Sequence, residues 1–236
     1  MATEIPQEFE KYLKTCQPLD LLKDAQKTDN PLVFQNPLLP VSLDPGKPNI
    51  IVVFGGSGSG KDTVIKTAKE KGLVNWVITA TSRLRRVKDD EPDDTYIWMR
   101  QIKEGETEEE YYKNLIREYG LIEHDFHNGK LYGLEESKLV EAIGKGIALL
   151  RMDHTGTRTI RKMMGEKANI LSVFVVPDSL EQIWERTQGR GADEKRFQEA
   201  IDQILLAPTL ANFYLHNPDG KAGQAQEAFE WLVKNI

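Results

Sequence analysis

The sequence predicts an α/β protein in which a mostly parallel sheet is flanked by helices, and three observations predict it. Ile50-Ile51-Val52-Val53-Phe54 is a β-branched run closed by an aromatic, with no polar alternation, the pattern of a strand buried on both faces. A glycine loop and a helical stretch follow it at once. Further apolar runs of strand length stand at 76–80, 147–152 and 170–176, separated by helical sequence.

The elements follow in order. Residues 1–48 hold seven of the 11 prolines and one of the 18 glycines, which marks them as a proline-rich N-terminal extension ahead of a main domain over 49–236. Residues 8–27 have room for one or two short helices. Prolines at 31, 37, 40, 45 and 48 predict no regular structure over 30–48. Leu32, Val33, Phe34, Leu38, Leu39 and Val41 nevertheless give that stretch an apolar density unusual for disorder, so the extension is expected to lie on the main domain. Beyond the strands, Thr107 with Glu110 predicts a capping box, Asp178 with Glu181 predicts another, and Gly189 sits where a helix-terminating glycine belongs. Ala225, Ala228, Phe229 and Leu232 fall at i, i+3, i+4, i+7 and predict the docking face of a closing helix.

Composition narrows the function. At 236 residues, 39% hydrophobic and 29% charged, the chain is an ordinary globular one. Lys plus Arg number 31 against 37 Asp plus Glu, a net charge of -6 that offers no global attraction for nucleic acid or acidic lipid. Any polyanion must be met locally. Cys16 stands alone, so no intrachain disulfide can form, and a bystander role suits it better than that of a nucleophile. The N-terminus has no basic or apolar leader-like region, and a cytoplasmic location is expected.

The sharpest motif is Gly55-Gly56-Ser57-Gly58-Ser59-Gly60-Lys61-Asp62-Thr63, which satisfies G-x-x-x-x-G-K between a buried strand and a helix. Its glycines let consecutive N–H groups turn towards phosphate oxygens, the helix N-terminus adds positive dipole and Lys61 adds a mobile charge. An ATP or GTP polyphosphate suits such a cradle. Asp62 occupies the slot usually held by Ser or Thr and the hydroxyl comes at Thr63, so Mg2+ could be held through waters by Thr63 or by Asp62. A second phosphate site is suggested by Thr79 to Arg86, where Arg83, Arg85 and Arg86 cluster before an acidic run and Tyr96, since guanidinium forks and a phenol suit a phosphate monoester. A solvated, self-neutralising loop is the plainer reading of that stretch.

From about Asn49 to Ile236 the ordered motifs resemble the guanylate kinases, P-loop nucleoside monophosphate kinases. The resemblance implies a P-loop NTPase-type sheet with an inserted acceptor-binding region over about 79–147 and a short lid over about 186–197. It implies that Arg83, Arg86 and Tyr96 hold the GMP phosphate, with Asp89 trailing them. Leu121-Ile122-Glu123-His124 and Gly129-Lys130-Leu131-Tyr132-Gly133 resemble family motifs that place Glu123 on the guanine edge and Tyr132 on phosphate. Asp153 and Thr79 would complete guanine recognition. A carboxylate independently suits guanine, whose N1–H and N2–H₂ form a row of donors that adenine lacks. Two positions depart: Arg151 replaces the first aspartate of the D-x-D-x-x-G pattern, and Leu134 replaces a base-reading hydroxyl.

The same resemblance implies that Arg186 and Arg190 close over the transferring phosphoryl group, with Arg196 a weaker candidate, and that Asn217 lies beside the donor adenine. Lys61, Arg186 and Arg190 would then be the catalytic residues. No protein nucleophile is needed, because the acceptor oxygen attacks directly and the protein supplies alignment and charge. His124, Asp125 and His127 are adjacent but alternate across a strand, which argues against a structural zinc site. The expected partners are ATP and GMP, with Mg2+ as cofactor, no nucleic acid, no membrane, and a monomer or homodimer. Leu134 and the Gly-Lys-Asp loop also resemble ribose 1,5-bisphosphate phosphokinases, a second reading. A guanylate-kinase-like module that binds protein ligands is a third, disfavoured by the retained Lys61.

Overall fold

The computed structural model describes residues 4–85, 95–127, 129–188 and 193–236. Its strands are β1 (Gln26–Lys27), β2 (Val33–Gln35), β3 (Asn49–Phe54), β4 (Asn75–Trp76), β5 (Ala80–Thr81), β6 (Ile97–Trp98), β7 (Leu121–His127), β8 (Lys130–Glu135), β9 (Ala148–Arg151), β10 (Asn169–Val176) and β11 (Phe213–His216). Its α-helices are α1 (Glu10–Thr15), α2 (Lys61–Glu70), α3 (Glu108–Glu118), α4 (Glu136–Gly144), α5 (His154–Met164), α6 (Leu180–Thr187), α7 (Asp193–Leu210) and α8 (Ala222–Lys234).

Seven strands form the main sheet in the order β1-β2-β11-β10-β3-β9-β4, parallel from β11 to β4. The run at 50–54 is the middle of the five parallel strands, fully buried as its unbroken apolarity predicts. Alternate side chains serve opposite layers. Ile51 and Val53 pack with Val64, Ile65 and Ala68 of α2 and with Ala225, Ala228, Phe229 and Leu232 of α8. Ile50 and Val52 pack with Leu139 of α4 and Ile160 of α5. At roughly 1.5–3 kcal/mol per fully buried aliphatic side chain, this strand alone ties two helical layers to one sheet. The C-terminal ends of β3, β9 and β10 therefore emerge side by side, where open parallel sheets bind ligands. A second sheet, β6-β5-β8-β7, stands between β4 and β9 in sequence and carries α3 on Tyr111 and Leu115.

The predicted box at Thr107 and Glu110 forms in full, with Glu110 N–H donating to Thr107 and the Glu110 carboxylate accepting from Thr107 N–H. Three expectations are corrected. The stretch 30–48 does hold a strand: Pro31 and Pro37 only bracket Val33–Gln35, which pairs antiparallel with Phe213–Leu215 and buries Val33 completely. The run 76–80 is not one strand. Asn75–Trp76 ends the main sheet and Ala80–Thr81 enters the second, because an apolar run records burial and not which sheet buries it. Asp178 does not cap α6. Ser179 does, accepting from Gln182 N–H at 3.2 Å, while Asp178 meets His216 Nε2 at 2.8 Å and accepts from Asp219 N–H at 2.7 Å. Gly189 lies outside the described residues.

The extension docks on this frame. Phe9 meets Phe197 of α7 edge to face at 5.1 Å, Gln17 Oε1 accepts from Leu180 N–H at the start of α6, and Asn36 donates to the carbonyls of Pro208 and Ala211. No described helix is long and apolar enough to cross a membrane.

Candidate active site

Residues 55–60 curl between β3 and α2. Gly60, the N-cap of α2, is left-handed at φ 90°, and a Cβ there would stand 2.2 Å from Asn217 Nδ2. Asn217 donates that amide to Ser59 O at 2.9 Å and its backbone N–H to Val176 O at 2.8 Å, so the turn after β11 holds the loop. At Gly56 a Cβ would meet Ala200 Cβ at 2.4 Å, which shows how closely α7 covers the loop. Lys61 folds back, its Nζ donating to the carbonyls of Gly55 (2.5 Å) and Gly56 (2.9 Å). Burial lowers its pKa to about 8; Arg151 pushes the same way, against Asp62 and Asp153.

Two cavities open from this loop. One, of ≈ 490 Å³, is walled by Gly58, Gly60, Thr63, Arg186 and Asn217. Arg186 donates to Gly58 O at 3.1 Å and pairs with Asp219 at 2.8 Å, so it braces the loop's outer side. The other, of ≈ 450 Å³, is walled by Thr79, Arg83, Tyr96, Glu123, Tyr132 and Asp153, among others. Ser57, Lys61 and Asp62 line both cavities.

In the second cavity the two sheets meet. Tyr96 and Tyr132 pack edge to face at 5.9 Å, and the Arg83 guanidinium lies 5.0 Å from the Tyr96 ring centroid. Glu123, on β7, is 8% exposed; burial, then Asp153 and Asp125, raise its pKa to about 7. Asp153 caps α5, accepting from Gly156 N–H at 2.8 Å, which spends one oxygen on the helix and leaves the residue on the cavity wall.

The structure thus brings Thr79, Arg83, Tyr96, Glu123, Tyr132 and Asp153 to one cavity, and places Gly58, Gly60, Thr63, Arg186 and Asn217 on the other. Arg86, Asp89 and Arg190 lie outside the described residues. Leu134 lines neither cavity. It is fully buried with Leu139, Ala142 and Leu150, so the missing hydroxyl leaves no hole in the cavity wall.

Sequence reasoning missed two groups. Glu199 and Gln203 line the second cavity from the same face of α7 as Arg196, the weaker lid candidate, and the spacing of three and four was a readable signal. Arg151, read only as a departure from a motif, donates Nη1 to the Asp62 carboxylate and Nη2 to Tyr96 Oη at 2.8 Å. No local pattern joins residues so far apart in sequence.

A family model described as Guanylate kinase matches residues 47–208. Guanylate kinase of Chlorobium chlorochromatii is 30% identical over 166 residues, 69% of this chain and 82% of the relative. That of Chlorobaculum tepidum is 34% identical over 153 residues, 64% of this chain and 72% of the relative. Among solved structures, guanylate kinase from Anaplasma phagocytophilum superposes with a TM-score of 0.57 at 19% identity, covering 84% of this chain and 87% of that one, which establishes the shared fold.

Proposed function

The chain belongs to the guanylate kinase family, and from that premise we propose that it transfers the γ-phosphoryl group of ATP to GMP, yielding ADP and GDP. The observation that carries this reading is that the two cavities share Lys61: a donor triphosphate along the loop and an acceptor phosphate beside Arg83 would meet at one cation.

On this reading the loop N–H groups from Gly55 to Gly60 and the start of α2 hold the donor phosphates. Lys61 must leave the loop carbonyls to follow the transferring group, and a lysine already stripped of water gives up little solvation in doing so. Arg83, Tyr96 and Tyr132 hold the acceptor phosphate, with Arg86 the further candidate. Glu123 and Asp153 accept guanine's N1–H and N2–H₂, and Thr79 donates to O6. Arg186, with Arg190, brings positive charge over the phosphoryl oxygens. Asn217 acts by holding Ser59 and hence the loop.

Thr63 on the first turn of α2 is exposed to the donor cavity, and a hydroxyl with water around it suits a hard cation. Mg2+ bound with ATP would be held there and would supply charge neutralisation on the triphosphate. The catalytic unit is 49–236, with 79–147 as the acceptor region and 186–197 as a short lid. A cytoplasmic monomer or homodimer without nucleic acid or membrane partners accords with a net charge of -6.

The ribose 1,5-bisphosphate reading loses weight, because Leu134 faces the core while Glu123 and Thr79 line the acceptor cavity. A coupled ADP-release assay over GMP, AMP, CMP, UMP and ribose 1,5-bisphosphate tests the proposal. GMP should turn over far faster than the rest. Equal turnover of all five would overturn the guanine assignment.

A further inference from the structure

Arg151 ends β9, in register with Val53 on the strand that feeds the phosphate loop, and its side chain lines the second cavity against Asp62, which lines both. It is 18% exposed, and such a buried guanidinium needs partners. Among the described residues its hydrogen-bond partners are the Asp62 carboxylate, which is itself 70% exposed, and the Tyr96 phenol. Two of the positions where this chain departs from its motifs are thus joined to each other. An aspartate follows the loop lysine where a hydroxyl is usual, and an arginine stands at the strand end where an aspartate is usual.

The pair does more than satisfy its own charges. Arg151 and Arg83 flank one ring, their Cζ atoms 5.6 and 5.0 Å from the Tyr96 centroid. Both line the acceptor cavity, as does Tyr132. A guanidinium carries five N–H donors in a fixed fork, and Asp62 and Tyr96 engage two of those of Arg151, leaving donors for a ligand. Its position beside Lys61 and Asp62 gives it reach to the acceptor phosphate on the side from which the donor arrives.

We propose that Arg151, held between Asp62 and Tyr96, binds the acceptor phosphate at the junction of the two cavities, and that Asp62 is a positioning residue for it. The inference rests on the GMP kinase reading for the identity of the acceptor, not for the presence of a phosphate. It gives the carboxylate in the loop a purpose: Asp62 sets the guanidinium fork and balances its charge until a phosphate arrives.

Calorimetric titration with GMP and with guanosine, without ATP or metal, tests it. Arg151→Ala should weaken GMP binding roughly 10- to 100-fold, the range of a charge-assisted hydrogen-bonded contact, and leave guanosine binding unchanged. Arg151→Lys should recover part of the loss, since it keeps the charge and loses the fork. Asp62→Asn should weaken GMP binding less, and should add nothing in the Arg151→Ala background. Unchanged GMP affinity in both Arg151 variants would overturn the proposal, as would equal loss of GMP and guanosine, which marks a structural role. Should the wild-type protein prefer another phosphorylated acceptor, the guanine reading falls. The same variants titrated with that acceptor and its dephosphorylated form then decide Arg151 separately.

Discussion

Replacing Glu123 with Gln separates a cost in stability from a gain in recognition. Glu123 is 8% exposed, and burial with two neighbouring carboxylates moves its pKa from 4.5 to about 7. A raised acid pKa in the folded state means that the native protein keeps a proton the unfolded chain has already lost. Stability is therefore greatest below 4.5, falls as pH rises towards 7, and is level above. At about 1.4 kcal/mol per pH unit, the ionised carboxylate costs the fold about 3 kcal/mol at neutral pH and above. The glutamine variant carries no such cost. Urea unfolding of both proteins, followed by tryptophan fluorescence at intervals from about pH 5 to about pH 8, should show the variant gaining on the wild type by about 2.5 kcal/mol across that window. The pH dependence of the difference is the signal, because other titrating groups cancel. Guanine's donors need the ionised form, so wild-type GMP affinity should drop about tenfold per unit below pH 7, and the variant should bind weakly throughout. A stability difference that stays flat with pH would refute the reasoning.

Two further substitutions read out the packing around the site. Leu134→Thr should cost about 2–4 kcal/mol by chemical denaturation, since a hydroxyl enters a fully buried apolar cluster, and should bring no rise in kcat/KM for GMP; a rise would mean that the residue faces the acceptor. Gly56→Ala should cost about 1–3 kcal/mol in thermal unfolding and weaken ATP binding, because the new Cβ would meet Ala200 at 2.4 Å and α7 or the loop must move; an unchanged Tm would refute that contact.

Much of the frame was legible because it is written in neighbouring residues. The unbroken run at 50–54 demanded burial on both faces, the glycines and Lys61 that follow spelled a phosphate loop, and the spacing from Ala225 to Leu232 declared a docking face. The ordered motifs around Arg83, Glu123 and Tyr132 pointed to a second site, and the structure gathers all three residues on one cavity.

Other features depend on sheet order, which no contiguous segment records. That Val33 would complete an edge beyond β11, that Asn217 would brace Ser59, and that Leu134 would face the core each required elements distant in sequence to be laid side by side. The pairing of Arg151 with Asp62 is the plainest case. Each residue alone reads as a lapse from a motif, and only the adjacency of β9 to β3 brings their charges together. Local pattern encodes which surface a residue must bury; the packing of the whole chain decides which partner it meets there.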